Sequence, residues 1–445
     1  MSPSVGQWTA IGPTRIGPAA TGVLFSIAIE ASNPNVLYVA APFCGVWKTE
    51  DGTDSWRPVG NSLPTLAVAA LATDPSAPGR VYVALARSGV HRSDDGGTSW
   101  APVGAPPDTL PPVTDLIVDP ADPAVLFLRG ITSIFRSGDG GQSWAATKAG
   151  AATALVLDST RPKVLYAGFP GQGVLRTTDG GASGDTGWTN LTPTLPMTGV
   201  NDVKLALTRA DPQTIYARFQ RPGQAQVYRS TDGGASWAAQ PVQAIYSALI
   251  AADDSNPAIV YLAGVHFYRS DDGGATWQAK PGAHVDHHVV VTDPTNPSTI
   301  YTACDGGLYR SPNRGESWSF VADGLANVLF YDLAVSATQP NVAIAGTQDN
   351  GTARYDGSST VWSGILGGDG ATVAIDPTNG AVMYAMNQYA SSIARSTDSG
   401  ASFHNIAAGL PTGPTCFNLH FQVHPVTPNI LLASCGVLGG TCQPE

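Results

Sequence analysis

Lysine is scarce in this chain: five residues of 445, beside 18 arginines, with charged residues of both signs making up only 13%. The formal net charge is −11 and no basic run occurs, so the clustered cations that nucleic acid or an anionic membrane surface would require are missing. Apolar runs are short as well. None approaches the ~18 residues of a membrane-spanning helix. The opening MSPSVGQWTA has neither the charged head nor the apolar stretch of a signal peptide, which leaves a cytosolic protein and a trimmed extracytoplasmic one as alternatives. Cysteine is sparse too. Cys44, Cys304, Cys416, Cys435 and Cys442 show no CxxC spacing, against zinc-ribbon or thioredoxin-like chemistry. Four of them lie near the chain ends, where a disulfide and buried free thiols are both open. No GxSxG elbow, Walker loop or catalytic Cys/His signature appears.

Fifty glycines and 35 prolines stand beside 43% hydrophobic residues, which describes a turn-rich but compact chain rather than a disordered one. The stretch RSDDGGTSW at Arg92 recurs as RSGDGGQSW at Arg136, RSTDGGASW at Arg229, RSDDGGATW at Arg269 and RSTDSGASF at Arg395. Trp56, Trp100, Trp144, Trp188, Trp237, Trp277, Trp318 and Trp362 follow one another at near-regular intervals, and Phe403 takes the next place. A period of this length belongs to a propeller or solenoid. Between tryptophans each unit repeats an apolar segment ending in Asp-Pro or Asn-Pro, a short segment such as VLYVA, a third ending in Arg-Ser, and the Gly-rich box. Four alternating segments divided by Pro and Gly turns predict one antiparallel blade per unit.

At the ends, QWTAIG from Gln7 copies SWRPVG from Ser55, an outer strand with no blade before it, while FNLHFQVHPVTPNILLASCGVL from Phe417 supplies first strands with no closing Trp. The N-terminal strand is therefore expected to complete the C-terminal blade. The fold expected is all-β, residues 1–445 forming one propeller domain of four-stranded antiparallel blades, ten in number; two smaller rings are the alternative.

The pattern Ser/Thr-x-Asp-x-Gly-x-Ser/Thr-Trp at Ser93, Ser137, Ser230 and Ser270, with Phe closing the copy at Ser396, resembles the Asp-box, or BNR, propellers. These include sialidases, two-propeller xyloglucan hydrolases, photosystem assembly factors and sortilin-type receptor domains. The box Asp is expected to accept backbone amides of its turn, and the Trp to bury its ring between blades. Each box offers too few carboxylates for a calcium loop. The resemblance implies that ligands bind on the opposite face, where strands two and three connect and blades join.

On that face three consecutive units carry polar groups: AHVDHH from Ala283, CDGG from Cys304, TQDNG from Thr347, GGDG from Gly367 and NQY from Asn387. The cluster resembles one in bacterial BNR-repeat glycosyl hydrolase or sortilin-like proteins. Asp286, Asp349 and Asp369 are the candidate catalytic residues, acting as acid and base with one pKa raised by its neighbours. If His284, Asp286 and His288 alternate along a strand, they share one side and suit a divalent cation. His287, Asp305, Gln348, Asn350, Gln388, Tyr389 and Arg15 are candidate substrate-binding residues. The bland reading of these residues is turn capping and rim hydrogen bonds, which would also suit a non-catalytic binding surface. Seven of the arginines precede a box, on the wrong face for the carboxylate-binding cluster of a sialidase, and two seven-bladed rings exceed this length. The expected function is a hydrolase or lyase on a carbohydrate-like molecule, in an extracytoplasmic setting; a sortilin-like module binding peptide in its channel is the alternative.

Overall fold

In the computed structural model the described residues are 10–41, 43–106, 115–242, 247–387, 393–406 and 418–436. The repeat folds as its alternation requires. Val68–Thr73, Val81–Leu85, Gly89–Ser93 and Ala101–Gly104 lie side by side in chain order as one antiparallel sheet. Ten sheets are present among the described residues: eight of four strands, one with a fifth strand, and a last one, Asn418–Val423 with Leu431–Gly436, of two. This matches the count of units read from the tryptophans. The second strand of a sheet, such as Val81–Leu85, is buried along its whole length, because strands flank it and sheets cover both faces. That is why it reads as an unbroken apolar run. In six of the ten sheets an Asp follows the first strand and turns the chain: Asp74 Oδ1 accepts the Ser76 amide at 2.8 Å, and Asp253 and Asp293 do the same for Ser255 and Thr295.

The box is a local hydrogen-bond knot. Ser93 Oγ donates to Asp95 Oδ1 at 2.7 Å and accepts the Gly97 amide at 2.7 Å, while Asp95 accepts the amide and hydroxyl of Ser99. These bonds, the Ser99 hydroxyl foremost, hold the Asp95 carboxyl at about 2. The following Trp100 donates its indole N–H to Val59 O of the preceding sheet at 2.7 Å, so this box also clasps its neighbour, as do those of Trp188 and Trp237.

The chain divides into two compact units. The larger, Leu24–Cys304 with Leu308–Val321, contains seven sheets. One contact builds it: an aromatic in the second strand of each sheet meets an aliphatic in the first strand of the next. Tyr38 shares a core with Leu71, Tyr82 with Leu116, and Tyr216 with Ile250. Sequence reasoning places ring closure after ten sheets, but the larger unit closes after seven. Its first strand, Ser26–Ile29, packs against His287–Thr292 of the seventh sheet. Trp56 Nε1 donates to Val321 O at 2.9 Å, the bond Trp100 makes to Val59, so the box of the first sheet finds its acceptor in the seventh.

The smaller unit comprises Met1–Val23, Asp305–Gly307 and Ala322–Glu445. Its first sheet runs Phe330–Val335, Ala343–Thr347, Gly351–Tyr355 and Val361–Leu366; its second runs Gly370–Ile375, Met383–Asn387, Ile393–Ser396 and His404–Asn405; its third is the two-stranded sheet. The same stacking recurs, Ile344 with Val373 and Tyr384 with Phe421. The N-terminal strand is expected in the last sheet. Gln7 to Thr9 lie outside the described residues, and the part described sits elsewhere: Arg15–Ile16 pairs in parallel with Val361 and Trp362, and Trp362 Nε1 donates to Ile11 O at 3.0 Å. Ile11 holds in QWTAIG the place of Val59 in SWRPVG, so Trp362 takes its carbonyl as Trp100 takes that of Val59.

No helix among the described residues is long and apolar enough to cross a membrane. Cys44 is half-buried and Cys304 buried; the pairing considered for the chain ends needs Cys416, Cys435 or Cys442, whose side chains lie outside the described set.

Candidate functional site

In the smaller unit three turns meet. Thr347 ends a second strand and Gly351 begins the third, and Thr347 Oγ1 closes the turn between them on Gly351 O at 2.7 Å. Within the turn Asp349 takes the left-handed conformation, φ 59°, which a short polar side chain tolerates. Gly370 opens the next sheet, and a Cβ there would stand 2.2 Å from Gly351 O. Only glycine lets the two turns touch, which seats Asp369 beside Asp349. Asp305, in the turn after Cys304, belongs to the same unit; its carbonyl accepts Asn350 Nδ2 at 3.2 Å.

The three carboxyl groups interact. Burial, then the charge of Asp305 and a hydrogen bond with it, then the charge of Asp369 and a hydrogen bond with that, push Asp349 up to about 8. Asp349 Oδ2 is buried and receives no bond from a fixed donor. Its contacts with Asp305 and Asp369 are hydrogen bonds only when Asp349 carries a proton to donate. Beside it, Asn350 Oδ1 and Asn387 Oδ1 are buried acceptors without a donor among the described residues, while Asn387 Nδ2 is fixed on Gly367 O at 2.7 Å. The result is a partly solvent-open patch of three carboxyl groups, with two amide oxygens that no donor among the described residues fills.

Of the expected site residues, the structure brings together Asp305, Asp349, Asn350 and Asp369. Gln348 belongs to the same turn, its amide bonded to Leu329 O at 3.1 Å and its carbonyl accepting Asn350 Nδ2. Gln388 and Tyr389 lie outside the described residues. Arg15, in the smaller unit, is paired with Asp323 at 2.8 Å. Asp286 and the three histidines of AHVDHH lie in the larger unit. There the strand starts only at His287, and Asp286 has φ 59°. A left-handed residue breaks the period of two, so the alternation that would align His284, Asp286 and His288 around a cation does not occur. His284 Nδ1 meets Val285 O at 3.2 Å, and His288 stacks on Phe25 with centroids 4.1 Å apart. Among the described residues no group of three or more His, Cys, Asp or Glu is arranged to hold a metal ion. His287 is corrected as a substrate-binding residue. It is 2% exposed, with Nδ1 2.8 Å from Thr302 Oγ1 and its ring edge-on to Phe267, so it serves the core.

Sequence reasoning passed over two buried ion pairs of the larger unit, Arg129 with Asp115 and Arg218 with Asp202. Arg129 also donates to Ala152 O of the next sheet at 2.9 Å, and Lys204 to Thr153 O at 2.8 Å. The signal was an Arg at the repeat position held by Ala40, Ala84 and Ala263 in other sheets.

Residues 268–279 match the model of the BNR/Asp-box repeat. None of the curated proteins compared matches the chain. Among solved structures, an ancestral GH74 enzyme is similar over 97% of this chain and 68% of its own, at 18% identity and a TM-score of 0.71. The GH74 xyloglucanase from Xanthomonas campestris is similar over 96% of this chain and 85% of its own, at 14% identity and a TM-score of 0.61. YCF48 from Cyanidioschyzon merolae covers 66% of this chain and 96% of its own, at 17% identity and a TM-score of 0.52; a YCF48 structure also exists bound to D1 peptide. At these identities the likeness carries the fold alone. With its boxes, its four-stranded sheets and these neighbours, the chain is a β-propeller protein built of BNR/Asp-box repeats.

Proposed function

We propose that the aspartate triad of the smaller unit is the acid/base centre of a hydrolase that cleaves a glycosidic bond in an extracytoplasmic carbohydrate. The observation that carries this reading is Asp349, a carboxyl pushed up to about 8 by burial and two neighbouring carboxyl groups. A general acid must hold its proton at working pH, and that environment provides for it. Asp349 donates the proton to the glycosidic oxygen as the bond to the anomeric carbon breaks. The carbocation-like charge that develops there is stabilised by the neighbouring side chains of Asp305 and Asp369. Water adds to the anomeric carbon, and the proton it releases replaces the one that Asp349 gave up, which restores the acid. Likeness to GH74 enzymes, one of them a xyloglucanase, supports a glycan as substrate.

A peptide ligand is the second reading. The buried acceptors Asn350 Oδ1 and Asn387 Oδ1 suit backbone N–H donors, and YCF48, similar in fold, binds a peptide.

The test is a panel of soluble polysaccharides, xyloglucan among them, assayed for new reducing ends with wild type and Asp349→Asn. Product from wild type and a loss of roughly 10²–10⁴ in the variant are expected of a general acid. Turnover unchanged in the variant removes Asp349 from the mechanism. No product on any glycan, with peptide binding weakened by Asn350→Ala, establishes the second reading instead.

A further inference from the structure

Asp305 and Asp369 reach Asp349 from other turns, so strand pairing within the sheet of Asp349 does not set their distances to it. Two side-chain amides span those gaps. Asn350 Nδ2 donates to Asp305 O at 3.2 Å and to Gln348 O at 3.0 Å, which ties the turn of Asp305 to the turn of Asp349. Asn387 Nδ2 donates to Gly367 O at 2.7 Å, in the loop that leads to Asp369. Gly368 there has φ 88°, and a Cβ on it would stand 2.6 Å from Asn387 Nδ2, so the loop is shaped around that amide. Carbonyl oxygens accept and do not donate, which fixes both amides with their nitrogens toward these turns.

The fold requires neither amide. In two sheets of the larger unit Arg87 and Gly171, with φ 62° and 76°, stand where Asp349 stands with 59°, and Ser88 and Gln172 stand where Asn350 does. The left-handed residue is thus part of the scaffold, and the turn forms without an asparagine. The place of Asn387, at the end of the second strand, holds Leu85 and Phe169 in those sheets, each 1% exposed. An amide where packing takes a hydrophobe loses hydration and needs a partner. Gly367 O is that partner.

We propose that Asn350 and Asn387 are positioning residues: Asn350 holds Asp305, and Asn387 holds Asp369, against Asp349. As a role in catalysis this rests on the acid/base reading of the triad; as an arrangement of side chains it does not. The charged groups that act on Asp349 are Asp305 and Asp369. Releasing either one therefore lets Asp349 give up its proton more readily.

The test uses Asn350→Ser and Asn387→Leu, the residue types that the second sheet carries at these places as Ser88 and Leu85, each compared with wild type in the presence and absence of Asp349→Asn. Both variants should keep wild-type circular dichroism; its loss in either would make that residue a part of the fold and overturn its assignment. As pH rises, the gain in urea midpoint that Asp349→Asn brings should level off roughly one pH unit lower in each background than in wild type, a tenfold loss of proton affinity at Asp349. On any glycan that is turned over, the alkaline limb of kcat/KM should move down by the same amount. A substitution that only loosened the site would lower the rate at every pH and leave that limb in place. A levelling-off point that stays at the wild-type pH in both variants overturns the proposal, whether or not a glycan is cleaved. A lowered one in a protein that cleaves no glycan upholds the positioning and sinks the hydrolase reading alone.

Discussion

Replacing Asp349 by Asn should stabilise the smaller unit at alkaline pH and leave it unchanged in acid. Asparagine keeps the size of the side chain and offers an N–H donor where protonated Asp349 offers its O–H, so the bonds to Asp305 and Asp369 survive. The folded carboxyl is pushed up to about 8, whereas in the unfolded chain it ionises near ~3.9. Between those values the folded state binds a proton that the unfolded state does not, so stability falls as pH rises. The contribution is intact below about pH 4 and lost as pH climbs through about 8. At ~1.4 kcal/mol per pH unit the whole interval would amount to roughly 5–6 kcal/mol. Asp349 is only half-buried, and solvent screening brings the expected penalty to roughly 1–2 kcal/mol. Urea denaturation of wild type and variant should therefore give equal midpoints near pH ~4 and a higher midpoint for the variant near pH ~9. A difference that does not change with pH would refute the reasoning, since it would mean that Asp349 ionises alike in both states.

The boxes allow a second check: Ser230 Oγ donates to Asp232 and accepts the Gly234 amide, both at 2.8 Å, so Ser230→Ala should cost about 1–3 kcal/mol in urea denaturation by leaving a buried amide unpaired. Leu71 lies in the core shared by the first and second sheets, and Leu71→Ala should cost about 2–5 kcal/mol, measurable as a lower denaturation midpoint. For catalysis, the pH profile of kcat/KM on any glycan that is turned over should fall on the alkaline side around 8, as Asp349 loses its proton; a rate still rising above that pH would argue for a different acid. The box carboxylates titrate in the other direction. Asp95, Asp139 and Asp232 are held at about 2 by Ser hydroxyls and amides, so their stabilisation is present above about pH 4 and lost only as pH falls through about 2. Circular dichroism in acid should show native sheet retained at pH ~3.

The sheet, the box and the count of units were legible in the sequence because each is a local event. Alternation makes a strand, Asp74 turns the chain onto Ser76, and Ser93 with Asp95 ties the box, all within a few residues. The meeting of Asp349 with Asp369 was legible as well, since TQDNG and GGDG occupy the same end of consecutive sheets. Where the ring closes was not. Tyr38 on Leu71 and Tyr216 on Ile250 are the same contact, and a sequence repeating one contact is satisfied by seven sheets or by ten. Only the tertiary structure shows Trp56 bonded to Val321 and Leu333 left bare. Nor could spacing alone separate AHVDHH from a metal site: the backbone of Asp286 turns left-handed just before the strand, and His287 goes into the core while its neighbours do not. Local hydrogen bonds and apolar alternation are written in the order of residues. Ring closure, the sign of a backbone angle and the raised pKa of Asp349 depend on which distant turns come to lie together.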